Sequence, residues 1–352
     1  MKLNEALASI KTPSAAAMEK TQRKLDSILK PLSSLGRLEK LLVKIAGITG
    51  SDRFDFSKKA VLVFCADNGV VAQGITQSGQ EVTAIVAKNL TLGDTCVCAM
   101  GRVAGAEIFP VDIGIATDLD VPGLIDRKIA HGTRDFSAES AMTRDEAERA
   151  LEVGIDLAVD MKERGYGLVA TGEMGIGNTT TAAAMAAVFL GVPAADVTGR
   201  GAGLSSDGLR RKVEVVESAV ARHRPDAGDP LDVLSKVGGF DIAGMAGLCI
   251  GGAVAGLPVV LDGVISCVAA LTACNLHPAV REFILPSHTS AEPAGRLLLE
   301  RLGLPSLLEA DMRLGEGTGA VASFPLYDMI AAVYQQMVRF DDVEMDPYEK
   351  FD

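Results

Sequence analysis

The sequence has no tryptophan, and aromatic residues make up only 4% of its 352 residues. So few rings exclude a stacking platform for single-stranded nucleic acid. Positive charge is also short. There are 34 Lys and Arg against 46 Asp and Glu, a net −12, which argues against nucleic acid or an anionic membrane as the main partner. A small anionic substrate stays open, because a local site can oppose the global charge. Long apolar runs are missing as well. The nearest, residues 243–274, is broken by glycines, Pro258 and Asp262, and is expected to fold as helix, strand and helix rather than as a span. The opening MKLNEALASIKTPSAAAMEK carries no apolar core of the kind that directs secretion. Six cysteines lie at 65, 96, 98, 249, 267 and 274, mostly inside apolar runs. Cys96 and Cys98 lack a second Cys or His pair at zinc spacing, so the expectation is buried free thiols, no metal and a reducing, cytoplasmic setting.

What is present is apolar mass: 48% hydrophobic residues, enough for one large α/β unit or two modest ones. Short β-rich runs end in polar residues: AVLVFCAD at Asp67, AEIFPVDIG near Asp112, YGLVATGE at Glu173, LPVVLDG at Asp262, and EFILPSH at Ser287 and His288. Helical patterns separate them. MTRDEAERALEVGIDLAVDMKERG opens with a Thr143–Glu146 capping box and stops at Gly165. Apolar strands alternating with helices imply a buried parallel sheet, whose ligand site lies beyond the strands' carboxyl ends. These strand-end residues are therefore a first map of a site. GRLEKLLVKIAGIT (residues 36–49) and LYDMIAAVYQQMVRF (residues 326–340) have helical spacing, and the two chain ends are expected to pair beside the sheet. The acidic tail from residue 341 onward is expected to fray.

Four stretches carry candidate chemistry. TGEMGIGNTTTAAA (residues 171–184) reads as strand, glycine turn and helix. Gly175 and Gly177 let backbone approach an anion, and Asn178, Thr179 and Thr180 open a helix whose free N–H groups suit phosphate. It is neither a Walker motif nor a dinucleotide fingerprint; the alternative is a tight turn with ordinary capping. Glu173, an acid at the mouth of such a turn, suits a ligand that carries ribose hydroxyls or a cationic ring beside its phosphate. RLGEGTGAVASFPLYD (residues 313–328) sets Glu316 between Gly315 and Gly317, which exposes a side chain for general-base work; the alternative is a helix-start residue. SHTSAEPAG (residues 287–295) adds Ser287, His288 and Ser290 after a strand, with His288 either structural or catalytic. GRGAGLSSDGLRRKVEVV (residues 199–216) adds Gly201 and, if its helix faces the cleft, Lys212.

KPLSSLGRLE, GEMGIGNTTTAAA, DVLSKVGGFDIAGMAG, PVVLDGVIS, PSHTSAEPA and MRLGEGTGA stand in this order along nearly the whole chain. Together they resemble the nicotinate-nucleotide–dimethylbenzimidazole phosphoribosyltransferase family. The resemblance implies an α/β fold with a parallel Rossmann-like sheet flanked by helices, in residues 50–300, and a small helical domain built from residues 1–49 with 301–352. It implies a homodimer, no cofactor or metal, and transfer of phosphoribose from nicotinate mononucleotide to a benzimidazole-type base. It makes Glu316 the general base and places Glu173, Gly175, Gly177, Asn178, Thr179, Thr180, Gly201, Lys212, Asp262, Ser287, Ser290, Gly315 and Gln80 around the substrates. Two positions depart from the family's pattern: Asn68, where His is common, and Gly79, where Pro is common. Both are expected near the acceptor pocket, whose wall is expected along Thr76–Val82 with Gln77 and Gln80 as its polar groups. The alternatives are a subunit of a heteromeric relative that uses phenolic acceptors and a nucleotide-binding partner without chemistry of its own.

Overall fold

A computed structural model describes residues 1–349; residues 350–352 of the acidic tail lie outside the described residues. Six strands form one sheet: β1 (Lys59–Ala66), β2 (Ala106–Gly114), β3 (Ile125–Asp126), β4 (Leu168–Met174), β5 (Val259–Val260) and β6 (Ile284–Leu285). All neighbours are parallel, in the order β3-β2-β1-β4-β5-β6. β1 is buried along its whole length, because helices cover both faces. The order runs one way from β1 to β3 and the other way from β4 to β6. That reversal opens a crevice at the carboxyl ends, where doubly wound sheets take ligands.

On one face, helix Arg144–Glu163 packs closely on helix Phe240–Ala255. A methyl group at Gly154 would sit 2.0 Å from the Gly244 carbonyl, and one at Gly247 would sit 2.0 Å from the Leu151 carbonyl. Only glycine lets these two backbones touch. The Thr143–Glu146 capping box forms as expected. The 243–274 run resolves into the end of helix Phe240–Ala255, β5 and helix Val264–Leu276.

Two expectations shift. β5 and β6 are shorter than the apolar runs that announced them, two residues each. The C-terminal helix, Thr318–Gln336, begins just past Glu316 as expected and carries Pro325 inside it, but stops at Gln336 rather than running to Phe340. The chain ends meet beside the sheet: Leu29 N–H donates to the Val338 carbonyl (3.0 Å) and Phe340 N–H to the Ser27 carbonyl (3.1 Å). The first helix, Leu3–Ala8, lies elsewhere, with Leu3 N–H donating to Glu152 Oε1 at 3.2 Å.

Segment Glu81–Ala104 is apolar and long enough by composition to cross a membrane. Gly93, at φ 81°, breaks it into helices Glu81–Leu92 and Cys96–Ala104. Their outer face leaves Ile85, Leu92 and Val103 exposed.

Candidate active site

A cavity of about 330 Å³ opens at the carboxyl ends of β4, β5 and β6. One wall is the loop before helix Thr318–Gln336. Gly315, Glu316 and Gly317 all have positive φ, at 92°, 61° and 92°. A left-handed glutamate is strained by roughly 1–3 kcal/mol, and such strain persists only where neighbours enforce it. Here they do. Glu316 N–H donates to the Glu173 carbonyl at 3.2 Å, and its Oε2 accepts from Val97 N–H at 3.2 Å. The loop lies so close to β4 that a methyl at Gly172 would meet the Glu316 carbonyl at 2.7 Å. Burial pushes the Glu316 carboxyl above the usual carboxylate range, against the pull of the Val97 N–H.

Asp262 anchors the same loop from below. Its Oδ2 accepts from Gly317 N–H (3.1 Å), and its Oδ1 accepts from Gly319 (2.7 Å) and Ala320 (3.3 Å). The side chain after β5 thus caps the helix that follows Glu316. His288 packs over it: a methyl at Gly319 would lie 1.9 Å from His288 Nδ1.

The cavity floor holds an acidic pair. Glu173 and Asp241 are both buried, and the Asn178 Nδ2 donates to Glu173 Oε2 and to Asp241 Oδ2, the latter at 2.9 Å. Asp241 Oδ1 also accepts from Ile242 N–H at 3.0 Å. Burial, then the Asp241 charge, pushes Glu173 up to about 8. Burial pushes Asp241 up to about 6.

The opposite wall is basic. Lys212 is buried, and its ammonium donates to Thr179 Oγ1 (2.8 Å) and to the Gly199 carbonyl (3.1 Å). Desolvation brings it down to about 8. Gly201, at φ 52°, passes just beside Thr179 and Lys212. Helix Asn178–Leu190 begins here, with Gly177 at φ 94° as its cap. Arg200 and Arg313 line the rim. One cavity therefore offers a cationic end with a helix N-terminus and an acidic end with a presented carboxylate.

A family model described as phosphoribosyltransferase matches residues 10–345. Nicotinate-nucleotide–dimethylbenzimidazole phosphoribosyltransferase of Acetivibrio thermocellus is 46% identical over 347 residues, 99% of either chain. The chain belongs to this phosphoribosyltransferase family. The Escherichia coli (strain SMS-3-5) protein of the same name is 44% identical over 336 residues, 95% of this chain and 94% of that one. A crystal structure of the Thermus thermophilus enzyme matches with a TM-score of 0.88 at 38% identity, over 95% of this chain and 99% of that one.

Against this family background, the cavity brings together Glu173, Gly175, Gly177, Asn178, Thr179, Gly201, Lys212, Asp262, Ser290, Gly315 and Glu316. It leaves three expected residues out of its lining. Thr180 is fully buried in the first turn of helix Asn178–Leu190, away from the cavity lining. Ser287 turns its hydroxyl to the Leu261 carbonyl at 2.5 Å. Gln80 donates to the Asn68 carbonyl at 3.2 Å. The Thr76–Val82 wall is corrected likewise: Thr76, Gln77 and Ser78 line the cavity with Ile75 and Val86, and Gly79 does not. Gly79 is packed against the Glu81 carboxylate. Asn68 is buried beneath the glycine turn, where it accepts from the Thr181 hydroxyl at 2.9 Å. Sequence reasoning missed Asp241, Glu292, Arg200 and Arg313. For Asp241 the only signal was an acid directly after two glycines and Phe240.

Proposed function

We propose that this chain transfers the phosphoribosyl group of nicotinate mononucleotide to a ring nitrogen of 5,6-dimethylbenzimidazole or a related base. The products are nicotinate and the α-ribazole 5′-phosphate, the nucleotide of a cobamide lower ligand. The observation that carries the reading is the shared cavity, which Glu316 and Lys212 both line. In this reading Lys212, Thr179, Gly201, Ser290 and the helix start at Asn178 hold the 5′-phosphate. The ribose and pyridinium ring lie over Glu173. The acceptor base packs against Ile75, Val86 and Leu314, within reach of Glu316.

The chemistry asks little of the protein. The C1′–N bond to the pyridinium breaks, and its electron pair leaves the nicotinate ring nitrogen neutral, so no acid has to protonate the leaving group. The acceptor nitrogen forms the new bond to C1′, and the acceptor's N–H proton passes to Glu316. Positioning plus one base accounts for catalysis.

Incubating the purified chain with nicotinate mononucleotide and equimolar benzimidazoles, then identifying products by mass, tests the reading. Dimethylbenzimidazole and the unsubstituted ring are both expected to serve as acceptors, because a methyl group in an apolar pocket is worth about 1–3 kcal/mol, roughly 10–200-fold in kcat/KM, and grades rather than abolishes turnover. Absence of nicotinate release with every acceptor would overturn it.

We also infer a homodimer working in the cytoplasm. Ile85, Leu92 and Val103 are 54%, 62% and 88% exposed, and Met329 adds 59% on helix Thr318–Gln336, which packs on Cys96–Ala104. Such an apolar face favours a second copy. All six cysteines are free, which fits a reducing compartment. Sedimentation at micromolar concentration is expected to give twice the 36.7 kDa chain mass. Val103→Glu is expected to shift it toward the monomer, and a monomeric wild type would refute the dimer.

A further inference from the structure

Two carboxylates bridged by one amide need a third party. The Asn178 amide gives one N–H to Glu173 Oε2 and the other to Asp241 Oδ2. Glu173 lines the cavity, and Asp241, at 0% exposure, is sealed behind it. Neither carboxylate has an ion pair among the described residues. Around them the nearest charged groups are acids. Asp262 and Glu316 face Glu173, from the turn after β5 and the loop before helix Thr318–Gln336. Asp67, at the end of β1, faces Asp241. Lys212, on the far wall, is engaged with Thr179 and Gly199. Two buried like charges without a counter-cation do not both ionise, so the pair retains a proton near neutral pH.

We propose that Glu173, Asn178 and Asp241 form a proton-linked sensor for the substrate's ring cation. The empty site keeps one proton on the carboxylate pair, and the arriving pyridinium ring displaces it to solvent. This rests on the nicotinate mononucleotide reading. Asp241 acts through Asn178 and is a positioning residue. The balance closes over a turnover. One proton leaves on substrate binding. When the C1′–N bond breaks, the ring becomes neutral, the counter-cation is lost and the pair takes a proton back. Burial, with the Asp241 charge behind it, raises Glu173 to about 8, and this sets the sensor's working range near neutral pH. The device favours the charged substrate over its neutral-ring products.

Calorimetric binding of nicotinate mononucleotide at pH 7, in buffers of different ionisation enthalpy, counts the protons. Ribose 5-phosphate, which lacks the ring, is the control that subtracts any proton uptake at Lys212. The nucleotide is expected to release roughly 0.5–1 proton more than the control. In Asp241→Asn the excess is expected to shrink, because Glu173 loses the repulsion of its buried partner while its own burial still holds its carboxyl up. Equal proton counts for the two ligands in the wild type would overturn the sensor while leaving the proposed reaction standing, as turnover assays on the same sample show. An unchanged excess in Asp241→Asn would remove Asp241 from it. Should that variant fail to fold, the wild-type comparison still decides. No binding and no turnover of the nucleotide would remove the substrate reading, and the sensor with it.

Discussion

Glu316→Gln is expected to lower kcat by about 10²–10⁴-fold, the range for removing a positioned general base, with the affinity for nicotinate mononucleotide nearly unchanged. Glutamine keeps the side chain's length and still accepts the Val97 N–H that holds Glu316 Oε2 at 3.2 Å. It keeps the left-handed backbone at φ 61°, because that conformation is imposed by Gly315, Gly317 and the Asp262 anchor rather than by the carboxylate. What it loses is the proton acceptor. The pH profile gives a second readout. Burial raises the Glu316 carboxyl, so the base form fails as pH falls at a higher pH than for an ordinary glutamate. The wild type is therefore expected to lose kcat on the acid side, and the Gln variant to show a low, flat remainder there. A variant within fivefold of wild type would assign the base to another group.

The site's outline was legible because a parallel sheet puts strand-end residues in one place. That rule named Asp67, Asp112, Glu173, Asp262, Ser287 and His288, of which Glu173, Asp262 and His288 line the cavity, and Glu316 was singled out by its two glycines. Contacts made by residues distant in sequence were not legible. Asp262 reads as a ligand-facing acid, yet its oxygens accept from Gly317, Gly319 and Ala320, and its work is to hold the Glu316 loop. Gln80 and Gly79 sat in a promising window, but the turn into helix Glu81–Leu92 directs Gln80 to the Asn68 carbonyl and sets Gly79 against the Glu81 side chain. Asp241 opens a helix rich in apolar residues, where an acid in the first turn is ordinary. Only the fold brings it to Asn178. Lys212 shows the converse: one basic residue among several on helix Ser206–His223, it is singled out by being buried.

Lys212→Met is the sharpest test of the phosphate end. Methionine keeps an unbranched apolar stem in the space the lysine occupies and removes the ammonium that bridges Thr179 Oγ1 and the Gly199 carbonyl. A hydrogen bond to a charged group is worth about 1.5–3 kcal/mol, so KM for nicotinate mononucleotide is expected to rise about 10–150-fold. kcat should fall less, because Glu316 and its anchor stand on other elements. The sign of the pH effect follows from burial. Desolvation lowers Lys212 to about 8, so its charge is present below that pH and fades above it. Wild-type affinity for ribose 5-phosphate is therefore expected to weaken from pH 8 upward, whereas the Met variant binds weakly and without that trend. The same ligand lacks the ring, so the acidic pair at Glu173 and Asp241 contributes little to the measurement, and the two ends of the cavity titrate separately. Unaltered KM in the Met variant would place the phosphate away from helix Asn178–Leu190, with Arg200 and Arg313 at the rim as the next cations to test.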